Sequence, residues 1–510
     1  MLQTYRTKIK DADTSYLDEI SAFFGVIERK LFHDVFVRGE SRTDCKRRYL
    51  TEYGITARQF NSIYIALEGK VKAIKEHNKL RLSELEEKIK SVKKYIKSNE
   101  KTKNDTHKKV LKLEKIDPKS EEFLNTVKHY RRIKSSLHHK KRKLETLKQK
   151  YNHLKNDVGS GKIRICFGSK SLFKKQFHLE KNNYATHEEW KKDWVNARGS
   201  QYFSVGSKDE TGGNQTCTYN NRHELRVRVA DQFIKQYGTH IVFENITFNY
   251  GQEYIDNAIV SYTGVTSGGN PVKYSNSAIS YRFHRNQHGW YMNATVDREV
   301  PDIQTLTRIG AIGVDMNAGF VSTCEVDRFG NPLKEEKIHL NMYNRSSDQV
   351  TASVGDVSKY IVGKAVDTQK PIIIEKLDFT RKKAALGEES GKYSRMISGF
   401  AYSKFKEMLR ARAVKYGVEV IEVNPSYTSV IGQMKFMKRY GLSSHGSAAC
   451  VIARHGMGLK LEKPVYDSVL GNFRKHVNHK PRKSRWASIS YYIKRKYSFH
   501  ERMALLKLGS

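Results

Sequence analysis

Residues that staple or kink a chain are scarce here: the 510 residues include five cysteines and eight prolines. The cysteines (Cys45, Cys166, Cys217, Cys324 and Cys450) are odd in number and widely scattered, with no Cys-x-x-Cys pair. That excludes a disulfide framework and a zinc ribbon and fits a reducing, cytoplasmic setting. No apolar run approaches the roughly 18 residues of a membrane span, and the opening Met1–Arg6 lacks the apolar core of a secretory signal, so no membrane partner is expected. Gly206-Ser207-Lys208 lacks the spacing of a phosphate-binding P-loop. Acid is also in deficit: 54 Asp+Glu against 93 Lys+Arg leaves a net charge of +39. A chain so basic along its whole length is expected to work against a large polyanion.

What is present suggests two to four domains. Gln3–Ile9 reads as a weakly alternating strand, and Thr14–Phe36 as an amphipathic helix with Tyr16, Ile20, Phe23, Phe24, Ile27 and Leu31 inward. Thr56–Lys75 is helical again. From Leu82 to Leu154 runs a Lys-rich helical hairpin with a heptad seam of Leu82, Leu85, Ile89, Val92 and Ile96. Its break is expected at Ser98–Thr106 or at Asp117–Lys119, where Pro118 would end a helix. The exposed faces, such as His138–Lys143, are basic enough to follow a duplex backbone, since phosphate contacts need charge and not sequence.

Beyond Val158–Lys162 the pattern turns to period two. Ile163–Phe167, Tyr202–Val205, Leu225–Val229, His240–Phe248, Ala278–Phe283 and Gly289–Val296 read as strands of a small β-barrel. Arg226, Arg228, Tyr281, Arg282, Arg285 and Tyr291 are candidate nucleic-acid contacts on its strands. From Leu306 the order becomes strand-strand-strand-helix-strand-helix-strand-helix, that of an RNase H-like α/β domain. The basic stretch Phe473–Lys496, with aromatics interleaved, reads as a tail that is either solvated or in contact with nucleic acid.

Within the last domain, Ile309–Val314 is a buried apolar run that delivers Asp315 at its end. Ile372–Ile374 does the same for Glu375. Carboxylates on the ends of two buried strands are the ligands a Mg²⁺- or Mn²⁺-dependent phosphodiesterase requires, because these ions select hard oxygen donors.

Those motifs carry a resemblance. Ile312-Gly-Val-Asp315-Met-Asn317 resembles the first RuvC motif of TnpB, the nuclease of insertion sequences related to compact type V CRISPR effectors. Ile374-Glu375-Lys-Leu-Asp378-Phe379 resembles the second, and Val423–Ser429 the segment leading to the third. The resemblance implies a multidomain α+β protein. Residues 1–10 and 157–305 would be a β-barrel wedge domain, with a helical recognition domain, 11–156, inserted in it. An RNase H-like (RuvC) nuclease domain, 306–472, and a basic tail, 473–510, would follow. The implied activity is RNA-guided DNA endonuclease, with Mg²⁺ or Mn²⁺ as cofactor, and guide RNA and target double-stranded DNA as partners. The protein would act as a monomer with its RNA, in the cytoplasm at the prokaryotic nucleoid.

Two departures from the family stand out. The zinc-ribbon cysteines are missing, and at the family's third motif, an aspartate opening a helix, this chain has His445-Gly446-Ser447-Ala448-Ala449. Three readings follow. His445 is itself a metal ligand or a general acid–base; the third acid is relocated, with Glu462 and Asp467 as candidates; or the site is dead and the protein is an RNA-guided DNA binder. Asp378 is a further supporting group, and Thr380–Tyr393 a candidate lid. An unguided basic RNA-binding protein is the alternative from another class. A DDE transposase fits the acid spacing less well.

Overall fold

The computed structural model describes residues 1–10, 12–265, 271–317, 319–340, 345–377, 399–459, 462–464, 473–498, 500–501 and 504. The chain is multidomain α+β and divides into two compact units: Met1–Ile89 with Ile96–Glu299, and Lys90–Tyr95 with Val300–Ser510. No helix among the described residues is long and apolar enough to cross a membrane.

In the first unit, β1 (Leu2–Lys8) pairs antiparallel with β9 (Gly289–Asp297), so everything between them in sequence is inserted into one sheet. Helix Ser15–Phe32 presents Tyr16, Leu17, Ile20, Phe24 and Ile27 to a core shared with Tyr202, Tyr281, Phe283 and Trp290 of the strands. Thr56 then caps a single helix over Ala57–Ile116 through a capping box with Gln59. Of the two expected breaks in the hairpin, the turn falls at the proline: Asp117 ends the helix and Ser120 caps the return arm, Glu121–Gly159. The arms are joined by Lys109–Glu122 at 2.7 Å, Lys141–Glu100 at 2.8 Å and a stacked His107–Tyr130 pair.

The expected barrel does not form among the described residues. The sheet β1-β9-β8-β2 stays open, β8 being Ser280–Asn286 and β2 Gln201–Ser204. A second sheet holds β3 (Cys217–Tyr219), β4 (Leu225–Arg228) and β5 (His240–Phe243), and a third holds β6 (Ser261–Val265) with β7 (Pro271–Ser275). Strands of three or four residues, broken by helical turns, are too short to give the continuous stagger that closure requires. Ile163–Phe167 is irregular; its apolar side chains pack singly on the core. Among the candidate contacts, Tyr281 is fully buried, which takes it out of play, and Arg285 is ion-paired to Asp18.

The second unit is built on a five-stranded sheet in the order β12-β11-β10-β13-β14. Here β10 is Gly310–Asn317, β11 Phe320–Asp327, β12 Pro332–His339, β13 Ile372–Glu375 and β14 Val420–Val423. Strand β11 is antiparallel to both β10 and β12, whereas β10, β13 and β14 run parallel. The apolar runs are continuous because both faces are covered. Ile312, Val314, Ile372 and Ile374 face helices Ser347–Thr368 and Gly399–Lys415. Ala311 and Ile373 face the core built on helix Ser444–Gly456.

The stretch expected as a tail is part of that second core. Helix Arg482–Lys496 buries Trp486, Ile489 and Ile493 beside Val430, Ile431 and Ile452. Its apolar residues recur every three to four positions, and that spacing gives them one face to bury.

Candidate active site

The parallel register Val314↔Ile374 is the last pair between β10 and β13, so Asp315 and Glu375 follow on neighbouring strands at the same level. Side chains alternate along a strand, so both share the face of Ala311 and Ile373 and look toward helix Ser444–Gly456. That helix lies unusually close to β10. A Cβ at Gly313 would run into the backbone of Ala449 and Ala453, and only glycine permits the approach.

The start of the helix is fixed from outside. Ser443 caps it, its Oγ accepting from the Gly446 amide at 3.0 Å. Glu335 on β12 accepts from the Ser443 amide at 3.0 Å and from its hydroxyl. This delivers His445 to Asp315: Nδ1 is 3.1 Å from Asp315 Oδ2. The same oxygen accepts from Asn317 Nδ2 at 2.9 Å. The His445 ring stands edge-on to Phe320 with centroids 4.9 Å apart, and Lys337 lies 4.4 Å over the other ring. Glu375 accepts from Thr428 Oγ1 at 2.6 Å, while Tyr402 donates to its carbonyl. Burial, then the Glu375 charge, pushes the Tyr402 phenol well above its ordinary range, so it acts as a donor.

Several acids of this unit are neutralised by basic side chains. Glu325 meets Lys370 at 2.6 Å, Glu336 meets Lys334 at 2.7 Å, and Glu422 meets Arg410 at 2.7 Å. Asp315 is not one of these: with 14% of its side chain exposed, its partners among the described residues are His445 and Asn317.

Sequence-expected residues thus separate into three groups. Asp315, Glu375 and His445 converge on one face. Glu462 does not join them: it is held by Lys435 at 2.6 Å and Arg454 at 2.8 Å. These cations outweigh the effect of burial and keep its carboxyl below the ordinary glutamate range. A carboxylate so paired cannot turn to a metal without stranding two half-buried cations, so Glu462 is not the relocated acid. Asp467, Asp378 and Thr380–Tyr393 lie outside the described residues.

Among the described residues, no group of three or more His, Cys, Asp or Glu side chains could hold a metal ion. Two carboxylates supply hard oxygens, and the 3.1 Å N···O spacing also suits neighbouring ligands around an octahedral ion with bonds of about 2.1 Å. No third acid joins these donors among the described residues. Sequence reasoning missed Thr428, Phe320 and Glu335. The Asp-x-Asn spacing of 315 and 317 was a usable signal for Asn317, since residues two apart share a strand face.

No family model matches the chain. Over 158 residues it is 29% identical to an uncharacterized protein of Aeropyrum pernix, the match covering 28% of this chain and 42% of that protein. The chain thus spans less than half of that relative's length.

Proposed function

We propose that the second unit is a metal-dependent nuclease domain of the RNase H-like (RuvC) type, and that the chain is an RNA-guided DNA endonuclease resembling TnpB. The observation that carries this reading is Asp315, a mostly buried carboxylate without a lysine or arginine partner among the described residues of a protein of net charge +39, beside Glu375 and against His445. The sheet order supports it: three antiparallel strands, then two parallel ones, with both carboxylates at the C-terminal ends of parallel neighbours. Open α/β sheets place their sites at such ends.

Asp315 and Glu375 would hold one Mg²⁺ or Mn²⁺. When bound, the ion would stabilise charge developing on the phosphoryl oxygens. Asn317 and His445 orient Asp315, and Thr428 holds Glu375. With Nδ1 turned to Asp315, the other ring nitrogen of His445 is available to take a proton from an attacking water. Guide pairing would supply target sequence, with basic surface holding the RNA backbone.

A second reading, an RNA-guided DNA binder that does not cut, is favoured by the lack of a three-ligand group among the described residues. One experiment separates them. RNA co-purified with the full chain is sequenced, then used to program cleavage of matching double-stranded DNA with Mg²⁺ or Mn²⁺. Cutting that disappears in Asp315→Ala supports the nuclease; guided binding without cutting in either metal supports the binder. A bulk mixture of cellular RNA with no common element would sink both.

A further inference from the structure

The first unit contains a cavity of about 170 Å³ lined by Glu28, Lys70, Arg198, Ser200, Phe203 and Arg282 among others. By the volume one water needs, roughly 10–15 Å³ on this measure, it has room for an oxyanion with its hydration. Its walls are set by close packing. A Cβ at Gly25 would strike the carbonyl of Arg198, and one at Gly199 would crowd Ala22. Helix Ser15–Phe32 and helix His187–Arg198 therefore meet at glycines, and Arg198 is held at the cavity edge. Arg282 enters from β8, directly opposite Phe203 of β2, with its guanidinium 4.7 Å over that ring.

The charges do not balance. Glu28 is the carboxylate among the lining residues, and Lys70 occupies it, with Nζ 2.6 and 2.7 Å from its two oxygens. Arg198 and Arg282 remain, and Arg29 stands behind Gly25. Among the described residues none of the three makes an ion pair, and the Arg198 Nε is buried without a hydrogen-bond partner. Arg198 and Arg282 rest instead on aromatic faces, Trp194 at 5.2 Å and Phe203 at 4.7 Å. Burial, then the Arg198 charge, lowers the Arg29 guanidinium below its ordinary value, and burial does the same to Arg282. Glu28, hydrogen-bonded to Lys70, is the acid that offsets these half-buried charges, and cations partly withdrawn from water are costly unless paired. Guanidinium forks fixed on aromatic rings match the tetrahedral oxygens of a phosphoryl group.

We infer that this cavity is a phosphoryl-binding site, formed by Arg198 and Arg282 with Arg29 behind them, which takes either a nucleic-acid phosphate or a free phosphate. It stands independently of the nuclease reading.

The test uses the full chain freed of RNA by high salt. Thermal unfolding is followed in sodium phosphate and in sodium chloride at equal ionic strength, for wild type, Arg198→Gln, Arg282→Gln and the exposed control Arg222→Gln. Phosphate is expected to raise the wild-type and control midpoints above their chloride values and to lose that effect in both cavity variants. Circular dichroism in chloride verifies that the variants fold; should either not, Ser200→Glu, which fills the site with a carboxylate, takes its place. A fluorescent oligonucleotide with and without a 5′-phosphate identifies the source. A preference for the phosphorylated end, reduced roughly tenfold or more in Arg198→Gln, assigns a nucleic-acid terminus. No such preference, with the phosphate effect intact, assigns free or backbone phosphate. A wild type that responds equally to phosphate and chloride, or a response unchanged in the folded cavity variants, overturns the inference.

Discussion

His445 Nδ1 lies 3.1 Å from Asp315 Oδ2, across 130 residues of sequence. The contact joins a strand end to a helix start, where the family that the sequence resembles carries its third acid. If this pair is the working centre, Asp315→Ala abolishes programmed cleavage. His445→Ala lowers it by about 10²–10⁴-fold, the range of a lost general base. His445→Asp, which restores an acid, retains cutting that the alanine variant lacks. Single-turnover rates on guided DNA in Mg²⁺ and Mn²⁺ check all three; equal rates for His445→Ala and wild type would remove His445 from the site.

Glu462 is expected to matter for stability and not for chemistry. Its side chain is 12% exposed between Lys435 and Arg454, and Glu462→Gln leaves these two half-buried cations without their carboxylate. The loss is about 3 kcal/mol, seen as a lower denaturation midpoint, with little change in the rate of cutting by the folded fraction. The pH dependence has a definite sign. The folded carboxyl titrates below its ordinary value, so its contribution is full above the unfolded glutamate range near ~4.3 and disappears as pH falls through the folded value. Wild type and Glu462→Gln should therefore converge in stability on acidification.

Gly313→Ala tests the packing that brings His445 to Asp315. The added methyl meets the backbone of Ala449 and Ala453, which cannot rotate away. Overpacking of this kind costs roughly 1–3 kcal/mol, and the helix must lift from β10. Cutting is expected to fall more than stability does, because a small misplacement of a catalytic group costs about 10²-fold. Chemical denaturation and cleavage measured on the same sample would show it.

Trp486→Ala probes the C-terminal helix. The indole is fully buried and donates to the Glu462 carbonyl at 2.6 Å. Truncation should cost about 3–5 kcal/mol in the thermal or urea midpoint. If the residue were instead a nucleic-acid contact, the variant would lose RNA affinity at unchanged stability.

Much of the second unit was legible because its strands are buried on both faces. Ile309–Val314 and Ile372–Ile374 are continuous β-branched or small apolar runs, each ending in one acid, and such runs announce parallel neighbours without any partner information. The first unit was harder to read. Its strands β2 to β5 are three or four residues long, below the length at which alternation is informative, and a barrel was expected where open sheets occur. The helix His187–Arg198 was missed among turn-rich surroundings, although Thr186 and Glu189 carry a capping signal.

By itself the sequence determined the net charge of +39, the strand ends that carry Asp315 and Glu375, and the helix that starts beside His445. These are local or summed properties, fixed by composition and periodicity. Tertiary structure alone decided that Glu462 is occupied by Lys435 and Arg454, that Trp486 belongs to a core, and that Arg198 and Arg282 share a cavity whose carboxylate, Glu28, is held by Lys70. Such pairings join residues far apart in the chain, and only packing sets which charges meet and which are left without a counterion.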